Sequence, residues 1–307
     1  FRLLLNLPYT FFYLVKNKFD LYHAHDPELI PIIYFLKLIG RNVIFDMHEN
    51  FDIEEKKINF FFKNIIKKLL FIIAKRILPK INVVFAEKSY KKKYPYITNY
   101  IDVLNMPLVE KLNTIKTKKK HKRFTFGYIG SITEGRGIKI ILNTIHNLQK
   151  KGYDIAFECA GPLTDRDLKI HMHDFSKHIN NFKYHGLLSP QKSWEIMSKC
   201  HVGLAILDNR SNYRDSYPTK IFEYLALNIP IITANFPLYK SITTKLNVGL
   251  TVCPKNLIEI EKAFIEIKTN KQLYNNFLEN IEKKIGTKFL WNNEFKKLEI
   301  FYNSIVR

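Results

Sequence analysis

The run Asp215-Ser216-Tyr217-Pro218-Thr219-Lys220-Ile221-Phe222-Glu223-Tyr224-Leu225-Ala226 places two acids, a proline and a lysine at a spacing that suits an anion site. Proline favours the first turn of a helix, because its missing N–H would have no intrahelical partner there. The spacing therefore predicts a helix from about Pro218 to the stop at Asn228-Ile229-Pro230. The free N–H groups of Thr219, Lys220 and Ile221 then face outward at the positive end of the helix dipole, an arrangement that holds phosphate, and Lys220 adds a full charge. Asp215 falls in the loop before the helix and Glu223 about one turn inside it, and acids beside a phosphate site suit sugar hydroxyls. The plain alternative is an ordinary capped helix with Glu223 in solvent.

Two further clusters carry chemistry. Tyr128-Ile129-Gly130-Ser131-Ile132-Thr133-Glu134-Gly135-Arg136-Gly137 reads as strand, glycine loop and helix start, a general anion-binding design with Arg136 as its cation. Arg136 closing a βα turn at the surface is the competing reading. Val43-Ile44-Phe45-Asp46-Met47-His48 reads as a strand that delivers His48 to its carboxyl edge, where α/β sheets bind ligands. His23 and His25 share one face of the preceding strand and suggest a metal pair, but no third ligand is apparent, and structural histidines are the favoured reading. His171 and His173 lie in a helical stretch, where residues two apart diverge, and form no site.

The elements that must position these groups alternate short β-branched runs with helical stretches, the pattern of parallel α/β architecture. Strands are expected at Phe19–His25, Asn42–Met47, Asn82–Ala86 and Asp102–Leu104, with helices at Glu28–Ile39 and about Asn59–Leu78. A polar, basic run without periodicity, ending in Lys118-Lys119-Lys120-His121-Lys122-Arg123, reads as a linker. A second series follows. Its strands are Phe124–Ile129, Asp154–Cys159, Phe182–His185, Val202–Ile206, Pro230–Thr233 and Gly249–Val252, and a helix is expected at Ile138–Lys150. The division is thus 1–110, a linker at 111–123, and 124–307.

The 307 residues carry a net charge of +21, which favours anionic partners such as phosphorylated substrates, nucleic acid or an acidic membrane face. AT-rich coding accounts for the same excess of Lys, Asn, Ile, Phe and Tyr. The charge is uneven: residues 1–123 hold 24 Lys and Arg against 11 Asp and Glu. Residues 56–80 alone contain eight basic residues and no acid. Ile65, Ile66, Leu69, Leu70 and Ile73 fall on one side of a helix there, flanked by Lys63, Lys67 and Lys68, which suits an anionic membrane surface. A helix packed on its own sheet with a solvated basic face is the alternative. Three dispersed cysteines give no disulfide framework, and no apolar run approaches the ~20 residues of a membrane span. These features predict a cytoplasmic protein.

The acid-x7-acid spacing of Asp215 and Glu223, the glycine loop with Arg136, and the strand ending at His48 together resemble the retaining family-4, or group 1, glycosyltransferases. The resemblance covers essentially the whole chain, including Asn105-Met106-Pro107 and Trp291. It implies a GT-B fold of two facing Rossmann-like lobes with parallel sheets, the last helix returning to the first lobe. It also implies transfer of a hexose-type sugar from a nucleotide-diphosphate-sugar with retention and without metal or cofactor. The implied acceptor is a lipid-linked or cell-surface glycan precursor, reached at the inner face of the cytoplasmic membrane. Asp215 would contact the donor sugar, Glu223 the ribose, and Arg136 and Lys220 the diphosphate, with Gly130 and Thr219 lining the donor site; His48 would line the sugar pocket. Two positions depart from the family pattern: Asp215 stands where glutamate is commoner, and Ser131 where a first cation is expected. Nothing before Phe19 provides the strand and glycine-rich loop with which the family's first lobe opens, which implies an incomplete first lobe, from a fragment or a truncated gene. An inactive remnant of such an enzyme and a basic nucleic-acid-binding protein are the competing functions; no nucleic-acid motif accompanies the charge.

Overall fold

A computed structural model describes residues 2–48, 71–108, 112, 115, 119–285 and 289–306. The chain divides into two compact units, 1–105 with 292–307 and 106–291.

The first unit is built on a four-stranded parallel sheet, β1 (Tyr22–Ala24), β2 (Val43–Met47), β3 (Asn82–Phe85) and β4 (Tyr100–Asp102), in sequential order. Its register sets Tyr22, His23 and Ala24 beside Val43, Ile44 and Phe45. All five residues of β2 are buried, as expected for a parallel strand covered on both faces. The Ile30–Leu38 helix packs Ile30, Ile33 and Leu36 into the core with Val43, Phe45, Val83 and Phe85. The chain opens on a helix, Arg2–Lys16, rather than a strand. The Trp291–Val306 helix contributes Glu294, whose carboxylate accepts the Leu104 N–H at 2.9 Å. Most of the basic stretch expected over 56–80 lies outside the described residues. Its described end is helical over 71–77, with Ala74, Ile77 and Leu78 buried in the core and Lys75 and Arg76 exposed. Among the described residues, no helix is long and apolar enough to cross a membrane.

The second unit carries a six-stranded parallel sheet. Its strands are β5 (Phe124–Ile129), β6 (Ile155–Ala160), β7 (Phe182–Tyr184), β8 (Val202–Ala205), β9 (Ile231–Ala234) and β10 (Gly249–Val252). The order β10-β9-β8-β5-β6-β7 means that the chain builds outward from β5 in one direction, then returns to build from β8 in the other. The border of β5 and β8 is therefore the topological switch point, and the carboxyl ends of the strands there are where open α/β sheets bind their ligands. The Ile138–Lys150 helix presents Ile138, Ile141, Leu142, Ile145 and Leu148 to the sheet at helical spacing. The basic run expected to be a free linker is partly anchored here. Leu112 and Ile115 are buried in this unit's core, the His121 N–H donates to the Lys199 carbonyl, and Lys120 Nζ donates to that of Cys200. The i, i+3 apolar pair inside a lysine-rich run is what ties it down.

Candidate functional site

The loop after β5 turns at Gly130, whose φ of +116° is unstrained only for glycine. Hydrogen bonds from Gly130 N–H to the Ala160 carbonyl and from Ile132 N–H to the Pro162 carbonyl hold it against the loop after β6. Gly137 begins the following helix with φ +78°, and a Cβ there would lie 2.0 Å from the Ile206 carbonyl, so glycine lets the loops after β5 and β8 touch. The Asp208 N–H, donating to the Gly135 carbonyl at 2.9 Å, completes this stitch across the switch point.

The Thr219–Ala226 helix enters beneath this loop, with Pro218 as its N-cap rather than its first helical residue. Its C-terminus is closed by Asn228 at φ +57°, a left-handed cap ahead of Pro230. Of the three N–H groups expected to face outward, that of Ile221 is taken, donating to the Pro218 carbonyl at 3.0 Å. This short bond tightens the first turn and leaves Thr219 and Lys220 as its leading donors. Tyr224, one turn on, accepts the Ile129 N–H at 3.0 Å and fixes the end of β5 to the helix.

Lys220 is 5% exposed, and among the described residues its Nζ has no hydrogen-bond partner. The ammonium lies 3.8 Å from the centroid of the Tyr128 ring, on β5. A Cβ on Gly130 would sit 3.0 Å from Lys220 Nζ and 3.4 Å from Arg136 Nη1, so both cations converge on the space that this glycine leaves open. Burial first, and the Arg136 charge second, push the Lys220 pKa well below its ordinary value. The Arg136 guanidinium is held by Tyr128 and Tyr213 and rests 5.9 Å from the Tyr213 ring centroid. Burial raises the Glu223 carboxyl, opposed by a hydrogen bond from Trp194 and by the Lys220 charge. A buried cation and a half-buried one converging on a glycine turn make a receptor for a polyanion.

Gly130, Arg136, Lys220 and Glu223 thus form one cluster in the second unit. Thr219 is exposed at the helix start, and Asp215, in the preceding loop, faces the Arg214 guanidinium at 3.4 Å. His48 belongs to the first unit. There its Nε2 lies 3.1 Å from Asp46 Oδ2, while His25 Nδ1 and His23 Nε2 lie 3.4 and 3.5 Å from the same oxygen. Burial alone would raise the Asp46 carboxyl, but the imidazoles of His23 and His48 outweigh it and hold the pKa at about 2. The Asp46 carboxylate in turn raises His48, whereas burial and the neighbouring His23 lower His25. No third ligand for the His23–His25 pair is apparent from sequence; in the fold Asp46 stands beside them, and the donor atoms of the three lie within 4.8 Å of one another.

Sequence reasoning missed Tyr128, Tyr213, Trp194 and Asp46. Asp46 was the most accessible of these. A parallel neighbour to β1 must carry Ile44, Asp46 and His48 on the face that carries His23 and His25. Trp194 and Tyr213 come from helices whose approach no local pattern encodes.

Comparison with known proteins bears on this geometry. Residues 110–284, more than half of the chain, match the family model of glycosyl transferases group 1. No curated protein matches the chain in sequence. Among solved structures, Anabaena Alr3699/HepE in complex with UDP-glucose is 11% identical with a TM-score of 0.70, over 93% of this chain and 79% of that one. TarM of S. aureus is 14% identical with a TM-score of 0.70, over 95% of this chain but 57% of its own. The sucrose-phosphate synthase of Thermosynechococcus elongatus is 11% identical with a TM-score of 0.72, over 95% of this chain and 75% of that one. At these identities the likeness carries the two-lobed GT-B fold, and the family match carries the chemistry. The chain belongs to the group 1 glycosyltransferases, retaining enzymes that use nucleotide-sugar donors.

Proposed function

We propose that the donor's diphosphate binds in the space between Gly130, Arg136 and Lys220, and that the chain transfers its sugar with retention to a glycan or lipid-linked acceptor. The observation that carries this reading is Lys220, a buried cation whose Nζ has no hydrogen-bond partner among the described residues and converges with Arg136 on the Gly130 turn. The Lys220 ammonium feels the Glu223 charge but makes no hydrogen bond among the described residues, and a diphosphate supplies the charge-assisted bonds it lacks. The N–H groups of Thr219 and Lys220 add their partial charges at the helix start. Glu223, held by Trp194, accepts from the ribose hydroxyls, and Asp215 from the donor sugar. His48 serves the sugar pocket from the first unit.

In the transfer, the bond from the anomeric carbon to the diphosphate oxygen breaks and one to the acceptor oxygen forms on the same face. The acceptor's proton passes to the departing phosphate oxygen. Arg136 and Lys220 stabilise the charge that builds on the nucleoside diphosphate, so the charge of a metal is not needed at that position. The complexes with UDP-glucose and UDP recorded for the Anabaena and S. aureus proteins make uridine donors the first to try. The excess of basic charge in residues 1–123, and over 56–80 above all, suits work at an anionic membrane surface on the cytoplasmic side.

The test is turnover of a panel of UDP-, GDP- and ADP-sugars, read as released nucleoside diphosphate, with the anomer of the product assigned by proton NMR. One donor consumed with its configuration retained is the expected result. Inversion, or binding of none of the panel, would remove the reading.

A further inference from the structure

The first unit carries a second cluster of titratable side chains, outside the diphosphate site. Strand register sets His23 and His25 on β1 beside Asp46 and His48 at the end of β2, all on one face. Asp46 Oδ2 lies 3.5, 3.4 and 3.1 Å from His23 Nε2, His25 Nδ1 and His48 Nε2, and His25 Nδ1 lies 3.2 Å from His48 Nε2. A tetrahedral metal with bonds of about 2.0–2.1 Å sets neighbouring donors about 3.3 Å apart, close to the separations of His23 Nε2 and His25 Nδ1 from Asp46 Oδ2. The donor atoms of His23, His25 and Asp46 all lie within 4.8 Å of one another.

Two buried polar atoms at the centre remain unpartnered among the described residues: His23 Nε2 and Asp46 Oδ1. The other ring nitrogen of His23, Nδ1, is in hydrogen-bond contact with Tyr302 Oη. In the tautomer with Nδ1–H donating to the phenol, Nε2 presents its lone pair to the cluster, the arrangement by which an outer partner fixes a metal-ligating histidine. The side chains of His25 and His48 are 55% and 42% exposed, which leaves an entry path.

We propose that His23 Nε2, His25 Nδ1 and Asp46 form a three-ligand binding site for one divalent transition cation, best suited to Zn2+, with its fourth position open and Tyr302 as the outer partner of His23; His48, assigned above to the sugar pocket, is not one of its ligands. Two imidazoles and one carboxylate are borderline ligands that favour Zn2+ over Mg2+ or Ca2+, which prefer all-oxygen shells. The site shares no residue with the diphosphate cluster of the second unit, so its failure would leave the donor reading untouched.

The experiment is titration of the chelator-treated full chain with Zn2+ by calorimetry at neutral pH, and with Co2+ by visible absorption. The expected result is one Zn2+ per chain with a Kd on the order of 10 μM or tighter, and the d–d bands of a tetrahedral Co2+ complex. His25→Gln, at an exposed position, should weaken binding at least ~10-fold and bleach those bands. Tyr302→Phe should weaken it by about 10-fold while leaving the bands in place. Circular dichroism of each variant reports whether the fold is kept. Absence of stoichiometric binding would overturn the proposal. So would binding left unchanged by both His25→Gln and Asp46→Asn, because the metal would then sit elsewhere.

Discussion

If Lys220 is kept for its ligand rather than for the fold, Lys220→Met should move stability and donor binding in opposite directions. The side chain is 5% exposed and its Nζ has no hydrogen-bond partner among the described residues; its compensation is the Tyr128 ring at 3.8 Å and the charge of Glu223. A buried unsatisfied group costs about 1–3 kcal/mol, and a cation–π contact returns roughly 0.5–2 kcal/mol. Methionine keeps the unbranched apolar stem and removes the charge. The variant should therefore be more stable by about 1 kcal/mol without ligand, a rise in Tm of roughly 2–4 °C for a unit of this size. The gain has a defined pH dependence. The Lys220 pKa is depressed in the folded chain, so between that depressed value and 10.5 the unfolded state binds more protons. Wild-type stability then rises with pH through that window, and the advantage of methionine shrinks as pH 10.5 is approached. Donor binding should fall by the loss of a charged hydrogen bond, about 1.5–3 kcal/mol or roughly 10- to 150-fold in Kd. Differential scanning calorimetry across pH and titration with UDP read both effects. A destabilised variant that binds UDP like the wild type would refute the reasoning, because Lys220 would then be a packing residue.

Gly130→Ala forces a side chain into the left-handed region and sets its Cβ 3.0 Å from Lys220 Nζ, where phosphate oxygens are to lie. It should cost about 1–3 kcal/mol of stability and at least ~10-fold in UDP affinity; titration and thermal melts check both. Trp194→Phe removes the hydrogen bond to Glu223 and lets burial raise that carboxyl further. UDP binding should weaken by about 1 kcal/mol, roughly fivefold, while binding of 2′-deoxy-UDP changes less, and parallel titrations compare the two.

Much of the second unit was legible in the sequence. Phe124–Ile129 and Gly249–Val252 were placed to the residue, because short apolar and β-branched runs bounded by turns and helices mark strands. The Ile138–Lys150 helix followed from its apolar spacing. Strand ends were less legible. The run Phe19–His25 yields only Tyr22–Ala24, since ladder pairing rather than β-propensity decides where a strand begins. The phosphate cluster was readable because proline, glycine and lysine report backbone geometry locally. Its lining was not, because Tyr128, Tyr213 and Trp194 reach the site through tertiary packing. The same limit hid Asp46, whose partners lie on a different strand.

The central claim is that Arg136 and Lys220 await a diphosphate, and a ladder of ligands tests it most directly. Uridine, UMP and UDP, with the guanosine and adenosine series in parallel, are titrated into the full chain and into Arg136→Ala. Each phosphate that meets a buried cation contributes about 1.5–3 kcal/mol, so affinity in the accepted series should climb at least ~10-fold per phosphate. Arg136→Ala should flatten the climb while leaving the nucleoside's own affinity in place. A nucleoside that binds as tightly as its diphosphate, or a climb of full height without Arg136, would contradict the account.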